Sequence, residues 1–512
     1  MKKFLAVASA AILSCASLFA FSGCSKGEET IVLRVCSWEE YIDLGEWDED
    51  EVIDLESGDI FGENSMVDDF TEWFNSTHDY NVKVEYSTFG TNEDLYNRLS
   101  LGDVYDLVCP SDYMLMKLID EKNKDGEYKY RMPFSEDFWN TETQENYYAK
   151  NVSRYIDGAD ESIFNSYGWH GLAACYMWGT TGLVYNPDEA ETSDVSTWNI
   201  FLNEDYKRQV TIKDNVRDAY FATLGIINAD KLTGGKLSEE QLSLILNDTD
   251  SATIAEAEEV LKNIKDNVYS FETDAGKADM VTGKVVVNYQ WSGDAVYIMD
   301  EADGDESNAL ELWYSVPEEC ANLWFDGWMM MKNGIGESAQ KQEAAEAFVN
   351  FLSRPDNAVR NMYYIGYTSA IAGDTVFEYM QWNYGADEET ENTYEYDLSY
   401  FYGGECFLTA DADNFGFDGE YINRGRQLFA QYPPQNVIDR SVVMLDFGDK
   451  LGEINQMWIN VRCLDLTDIS PVTVGIAAGV IGAAAIAICL YAFRYKLFIR
   501  NKPKDGYEKV EK

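Results

Sequence analysis

Short apolar runs alternate with helical patterns along most of this chain, and that alternation confines it to an α/β fold. The body opens with a strand pattern at Ile31–Cys36, followed by an amphipathic helix over Met66–Asn75 and an alternating strand over Asn81–Tyr86. A helix over Glu93–Leu101 then leads to the apolar strand Tyr105–Cys109, which stops at Pro110. The rhythm continues with strands at Gly182–Tyr185, Val210–Ile212 and Lys284–Tyr289, and helices at Arg217–Leu224, Ala255–Lys265 and Gln340–Leu352. Strands separated by helices predict parallel sheets with helices on their faces. With 512 residues, 46% hydrophobic and 25% charged, the chain is globular and long enough for at least two core-bearing lobes.

In open α/β sheets, ligands sit beyond the carboxyl ends of the strands. Trp38 and Tyr41 follow the first strand, Ser111 and Tyr113 the one ending at Cys109, Asn215 and Asp218 the one ending at Ile212, and Trp291 and Asp294 the one ending at Tyr289. A further pair, Trp324 and Asp326, repeats the pattern of an indole beside a carboxylate. That combination suits an organic ammonium ion: the ring face attracts the cation and covers its methylenes, and the carboxylate accepts its N–H donors. A lone tryptophan is more often a core residue. Four strand ends of similar chemistry are hard to explain by packing alone, whereas Trp178 and Trp198 read as structural.

Lys and Arg total 39 against 91 Asp and Glu, a formal net charge of −52, which excludes a general nucleic-acid binder; it would speed capture of cations, with solubility as the other reading, and charge alone does not separate the two. The acidic run Asp43–Glu63 reads as a solvated loop. Only two histidines, His78 and His170, are present, and neither lies near a strand-end motif, so a transition-metal site has no support. No CxxC pair suggests zinc, and Asp411–Gly416 begins like a calcium loop but lacks its closing glutamate. Neither GxSxG, HExxH nor a P-loop occurs, so the chain is not read as an enzyme and no cofactor is expected. The stretch Tyr394–Gly419, dense in Tyr, Phe, Asp and Gly, reads as a loop-rich surface extension.

Both ends read as membrane-directed. Met1-Lys2-Lys3, an apolar run Phe4–Phe21 and Ser22-Gly23-Cys24 describe a secretory signal of 24 residues, with Cys24 as a lipidation site. Val472–Phe493 is uncharged, apolar and long enough to span a bilayer, and Arg494, Lys496 and Arg500 behind it put that end in the cytoplasm. The expected plan is a transmembrane helix at 471–494, a short cytoplasmic tail at 495–512, and a main body on the extracytoplasmic face. Six cysteines of the body (Cys36, Cys109, Cys175, Cys320, Cys406 and Cys463) permit disulfides, but their spacing selects none, and buried thiols are an equal reading.

Taken together, the segments Ser37–Ile42, Tyr105–Tyr113, Tyr176–Gly182, Asp214–Asp218, Gln290–Asp294, Leu323–Asp326 and Ile365–Tyr367 resemble the substrate-binding proteins of bacterial spermidine/putrescine importers. The resemblance covers roughly Val32 to Val461. It implies a two-lobed periplasmic-binding-protein-like fold of type II, each lobe a mostly parallel sheet with flanking helices. Lobe 1 would comprise 25–178 and 325–366, and lobe 2 would comprise 179–324 and 367–470, with crossings near Gly179, Trp324 and Gly366. It further implies that Trp38, Tyr41, Ser111, Tyr113, Asp218, Trp291, Asp294, Trp324, Asp326 and Tyr367 line a cleft for putrescine or spermidine. The cargo would pass to an ABC permease and its ATPase. Asn215, Val443 and Met444 depart from the residues that spermidine binders carry, which bears on ligand length more than ligand class. Another solute on the same fold, or a membrane-anchored polyamine sensor, are the alternatives.

Overall fold

The computed structural model describes residues 30–48, 51–304, 310–387, 390–412 and 423–463. The signal segment with Cys24, the apolar segment Val472–Phe493 and the tail lie outside the described residues. Among the described residues, no helix is long and apolar enough to cross a membrane. Residues from Asn455 onward form a unit of their own, of which only the end of the helix Leu451–Arg462 and the residue after it are described.

Two long strands, Ala174–Tyr185 and Ala321–Met331, run antiparallel through the centre of one large sheet, and every residue of both is buried. At one end, Met329 and Met330 pair with Leu107–Val108, which leads through Thr30–Trp38 to Asn81–Phe89 by parallel pairing. At the other end, Thr181–Tyr185 pairs with Val287–Trp291, which continues in parallel to Val210–Lys213 and Ser270–Glu272. The α/β character expected from the alternation is therefore present. The sheet, however, is mixed rather than mostly parallel, because its two central strands oppose each other and most of their neighbours, Ser441–Val442 being parallel to Ala321–Met331.

Side chains gather at both ends of this sheet. One apolar cluster includes Leu33, Val35, Phe70, Leu107, Trp178, Phe325, Trp328 and Phe348, and another includes Val184, Met299, Leu312, Tyr314, Phe429 and Val437. Side chains after Tyr367 are shared between these clusters. Thr368–Ser369 pairs with Met177 and Trp178, and Val376, Tyr379, Tyr396, Leu398 and Phe401 belong to the first cluster, whereas Phe429 and Val437 belong to the second. Within Tyr394–Gly419, Thr393–Asp397 and Phe407–Asp411 form an antiparallel pair rather than a loop. Among the described residues, the six cysteines of the body form no disulfide.

The acidic run Asp43–Glu63 is not simply solvated. Asp43, Ile53, Leu55 and Ile60 are buried, and Ile53 bridges to Ile60. Asp43 accepts from Gly45 N–H at 2.7 Å and pairs with the buried Arg360 guanidinium. Arg360 also donates to Asp69 at 2.6 Å and to the Asn64 carbonyl, so one cation ties both ends of the run to the helix Pro355–Ile365. Removing one member of a buried ion pair leaves the other unpaired, at a cost of about 3–5 kcal/mol. Arg360→Ala should therefore lower unfolding stability in urea by about 3 kcal/mol; a change below about 0.5 kcal/mol, as expected of a surface site, would refute this role.

Candidate functional site

One strand end and three strand-to-helix junctions deliver many of the expected residues. Trp38 closes Thr30–Trp38, and Ser111 precedes the helix Asp112–Asp120, whose first turn holds Tyr113. Val210–Lys213 leads into the helix Val216–Ile227, with Asp218 in its first turn, and Val287–Trp291 into Ser292–Gly304, with Asp294 in its first turn. The exposed N–H groups of a first turn favour carboxylates there. Asn215 is the cap of its helix, its side chain accepting from Arg217 N–H at 2.8 Å.

Seven of the ten expected residues make one continuous patch. Tyr41 donates its hydroxyl to Asp326 at 2.6 Å, and Ser111 bridges to Asp326 through the backbone. The Tyr41 and Tyr367 rings meet edge to face at 5.1 Å, and Tyr367 meets Trp324 at 5.6 Å. Tyr367 donates to Asp294 at 3.0 Å, and the indole of Trp38, whose Nε1 has no hydrogen-bond partner, lies close enough to favour the Asp326 carboxylate. Two glycines permit this density. A Cβ on Gly179 would lie 2.1 Å from Ser292 Oγ and 2.6 Å from the Trp324 ring, and one on Gly293 would lie 2.2 Å from the Tyr367 ring.

The other three residues gather around cations of the chain itself. Lys213 Nζ lies 3.9 Å from the centre of the Trp291 ring and donates to Gln290 and to the Thr273 carbonyl. The Arg217 guanidinium is held between two rings, 3.6 Å from Tyr113 and 4.1 Å from Phe447, and donates to the Leu445 carbonyl at 2.8 Å. Asp218 acts with Trp291, and its Oδ1 is buried without a hydrogen-bond partner. A third cation, Lys277, pairs with Asp294 at 3.1 Å. Sequence reasoning missed all three. Lys213 and Arg217 flank or sit inside a quoted motif and could have been found there; Lys277 carries no local signal.

Burial dominates the electrostatics. It pushes the carboxyl of Asp326 up to about 6, against Ser111, Tyr41 and Trp38. Asp218 likewise rises to about 6 by burial, opposed by Lys213 and Trp291. Asp112, which the sequence did not single out, is pushed by burial up to about 8 and is neutral at pH 7. Burial lowers Lys213, while at Lys277 burial works against the charge and Asp294 outweighs it, so its pKa is raised.

Residues 65–373 match the family of the bacterial extracellular solute-binding protein. The chain belongs to that family. Solute-binding proteins of this family bind rather than transform what they hold. Among curated relatives of this solute-binding protein is the spermidine/putrescine-binding periplasmic protein of Salmonella typhimurium, 26% identical over 294 residues, covering 57% of this chain and 71% of the relative. Another is the putrescine-binding periplasmic protein SpuD of Pseudomonas aeruginosa, 27% identical over 292 residues, covering 55% and 69%. Its fold is also that of the spermidine/putrescine ABC transporter substrate-binding protein PotD of Streptococcus pneumoniae, with a TM-score of 0.52 at 22% identity over 84% of this chain and 98% of the other. The Tp0655 lipoprotein of Treponema pallidum gives a TM-score of 0.53 at 16% identity over 84% and 99%.

The raised acids make a stability test. Their folded-state values lie above those of an unfolded chain, so each stabilises the fold below the unfolded carboxylate range and loses that contribution as pH rises through about 6. The contribution is at most about 3 kcal/mol per group. Thermal unfolding should give a smaller rise in Tm from pH 7.5 to pH 5 for Asp326→Asn than for the unmodified protein; equal rises would show that Asp326 does not titrate in this window.

Proposed function

We propose that this solute-binding protein captures a polyamine, putrescine or spermidine, between the two ends of its sheet and delivers it to an ABC import permease and its ATPase. The observation that carries the reading is Asp326. Its side chain is buried, its Oδ1 has no hydrogen-bond partner, and aromatic groups of Tyr41, Trp38 and Tyr367 surround it. Among the described residues, burial is opposed at Asp326 by Ser111, Tyr41 and Trp38 and by no lysine or arginine. A buried carboxylate without a cation of its own calls for one from outside. Each cation–π contact adds roughly 0.5–2 kcal/mol. A micromolar dissociation constant needs about −8 kcal/mol, within reach of paired ammonium ends and several rings.

The binding set is then Trp38, Tyr41, Ser111, Tyr113, Asp218, Trp291, Asp294, Trp324, Asp326 and Tyr367. The chain crosses between lobes near Gly179, Trp324 and Gly366, and Gly179 stands opposite Trp324 in the central strand pair. Hinge closure around a ligand is the established motion of periplasmic binding proteins. The body works on the extracytoplasmic face, held there by a lipid on Cys24, by the apolar segment Val472–Phe493, or by both. Names of the relatives in Salmonella and Pseudomonas support the ligand class, and the charge of −52 supports capture of cations.

Calorimetric titration of the protein with putrescine, spermidine, arginine and ferric ion tests this reading. Saturable binding of an amine is expected, and no heat with either polyamine would defeat it. Asp326→Asn or Trp291→Ala should weaken amine binding by about 2 kcal/mol or more, the first by removing the charge that pairs the ammonium and the second by removing a stacking wall. Unchanged affinity in both would take these residues out of the site.

A further inference from the structure

A second cavity shares no lining residue with the ten of the proposed cleft. It opens to the surface and measures about 560 Å³, within the roughly 300–1,000 Å³ of small-molecule sites. Its lining comes from the strand Thr393–Asp397, the helix Ser399–Tyr402, Pro434 and the helix Gln435–Ile438. Three tyrosines contribute rings. Tyr394 and Tyr396 meet edge to face at 6.4 Å, and Tyr400 packs edge to face against Tyr155 at 5.6 Å and Trp178 at 6.4 Å. The Tyr400 hydroxyl is buried and has no hydrogen-bond partner.

We propose that this cavity is a second binding site, for an uncharged saccharide. The inference is independent of the polyamine reading. Among the described residues, no lysine, arginine or histidine lines the cavity, so nothing there answers an anion. Its one acid, Asp397, is exposed and accepts from Ser399 N–H at 2.9 Å, so no buried charge calls for a cation as Asp326 does. What remains is flat and uncharged. Tyrosine rings give rigid amphipathic faces for the C–H side of a sugar ring. Ser399, Gln435 and Asn436 add side chains that both donate and accept, as sugar hydroxyls do. A wholly apolar guest would leave the Tyr400 hydroxyl unpaired, whereas a sugar hydroxyl can pair with it.

Calorimetric titration of the protein with glucose, maltose, N-acetylglucosamine and N,N′-diacetylchitobiose, and co-sedimentation with insoluble chitin, test this. Saturable binding of at least one soluble sugar marks a free saccharide as the ligand; retention on chitin alone marks a polymeric glycan. Tyr400→Ala, and Gln435→Ala combined with Asn436→Ala, should each weaken that binding about tenfold or more and leave putrescine affinity within about threefold. Should Tyr400→Ala not fold, the pair at Gln435 and Asn436 decides. No binding of any of these glycans, or binding that the folded variants leave unchanged, would overturn the assignment. So would a second putrescine-binding event abolished by Asp397→Asn, which would make the cavity a cation site. Loss of amine binding at the cleft bears on the polyamine reading and not on this one.

Discussion

A carboxylate buried in the middle of a sheet is tolerated only where something answers its charge, and Asp326 imposes that condition on everything around it. It lies in Ala321–Met331, a strand buried along its whole length, where the register against Ala174–Tyr185 shifts between Asp326 and Gly327. Tyr41 reaches it from one strand end, Ser111 from another, and Asp112 beside them is pushed toward its neutral form. With Asp112 neutral, one negative charge rather than two has to be balanced at that point. The aromatic rings around it exclude water and strengthen any cation held there.

The second half of the site obeys the same rule by another route. Asp294 and Trp291 have cations of the chain against them, Lys277 and Lys213, and Asp218 feels Lys213 and Arg217.

Much of this architecture could be read from the chain. Strands and helices with clear periodicity, such as Thr30–Trp38, Met66–Thr77 and Ala339–Leu352, appear where the pattern puts them, within a few residues. The strand ends themselves were also legible, because such junctions are local and turn residues mark them, and Trp38, Tyr41, Ser111 and Asp294 from them join the patch around Asp326. What escaped was non-local. Ala321–Met331 carries Asn322, Asp326 and Gly327 among apolar residues, and Ala174–Tyr185 carries Gly179 and two threonines, so neither reads as one long buried strand. Lys277 meets Asp294 only because two helices pack side by side, and Asp43 meets Arg360 across more than 300 residues. The stretch after Tyr367 shares its side chains between two clusters, which no linear boundary can express.

The guanidinium of Arg217 stands between Tyr113, from one end of the sheet, and Phe447, which also meets Tyr220. Arginine keeps its charge at any physiological pH and stacks flat on rings. This sandwich therefore contributes to holding the two ends together whether or not a guest is present. A cation of this kind fixes the relative placing of Tyr113, Phe447 and the Leu445 carbonyl at every physiological pH.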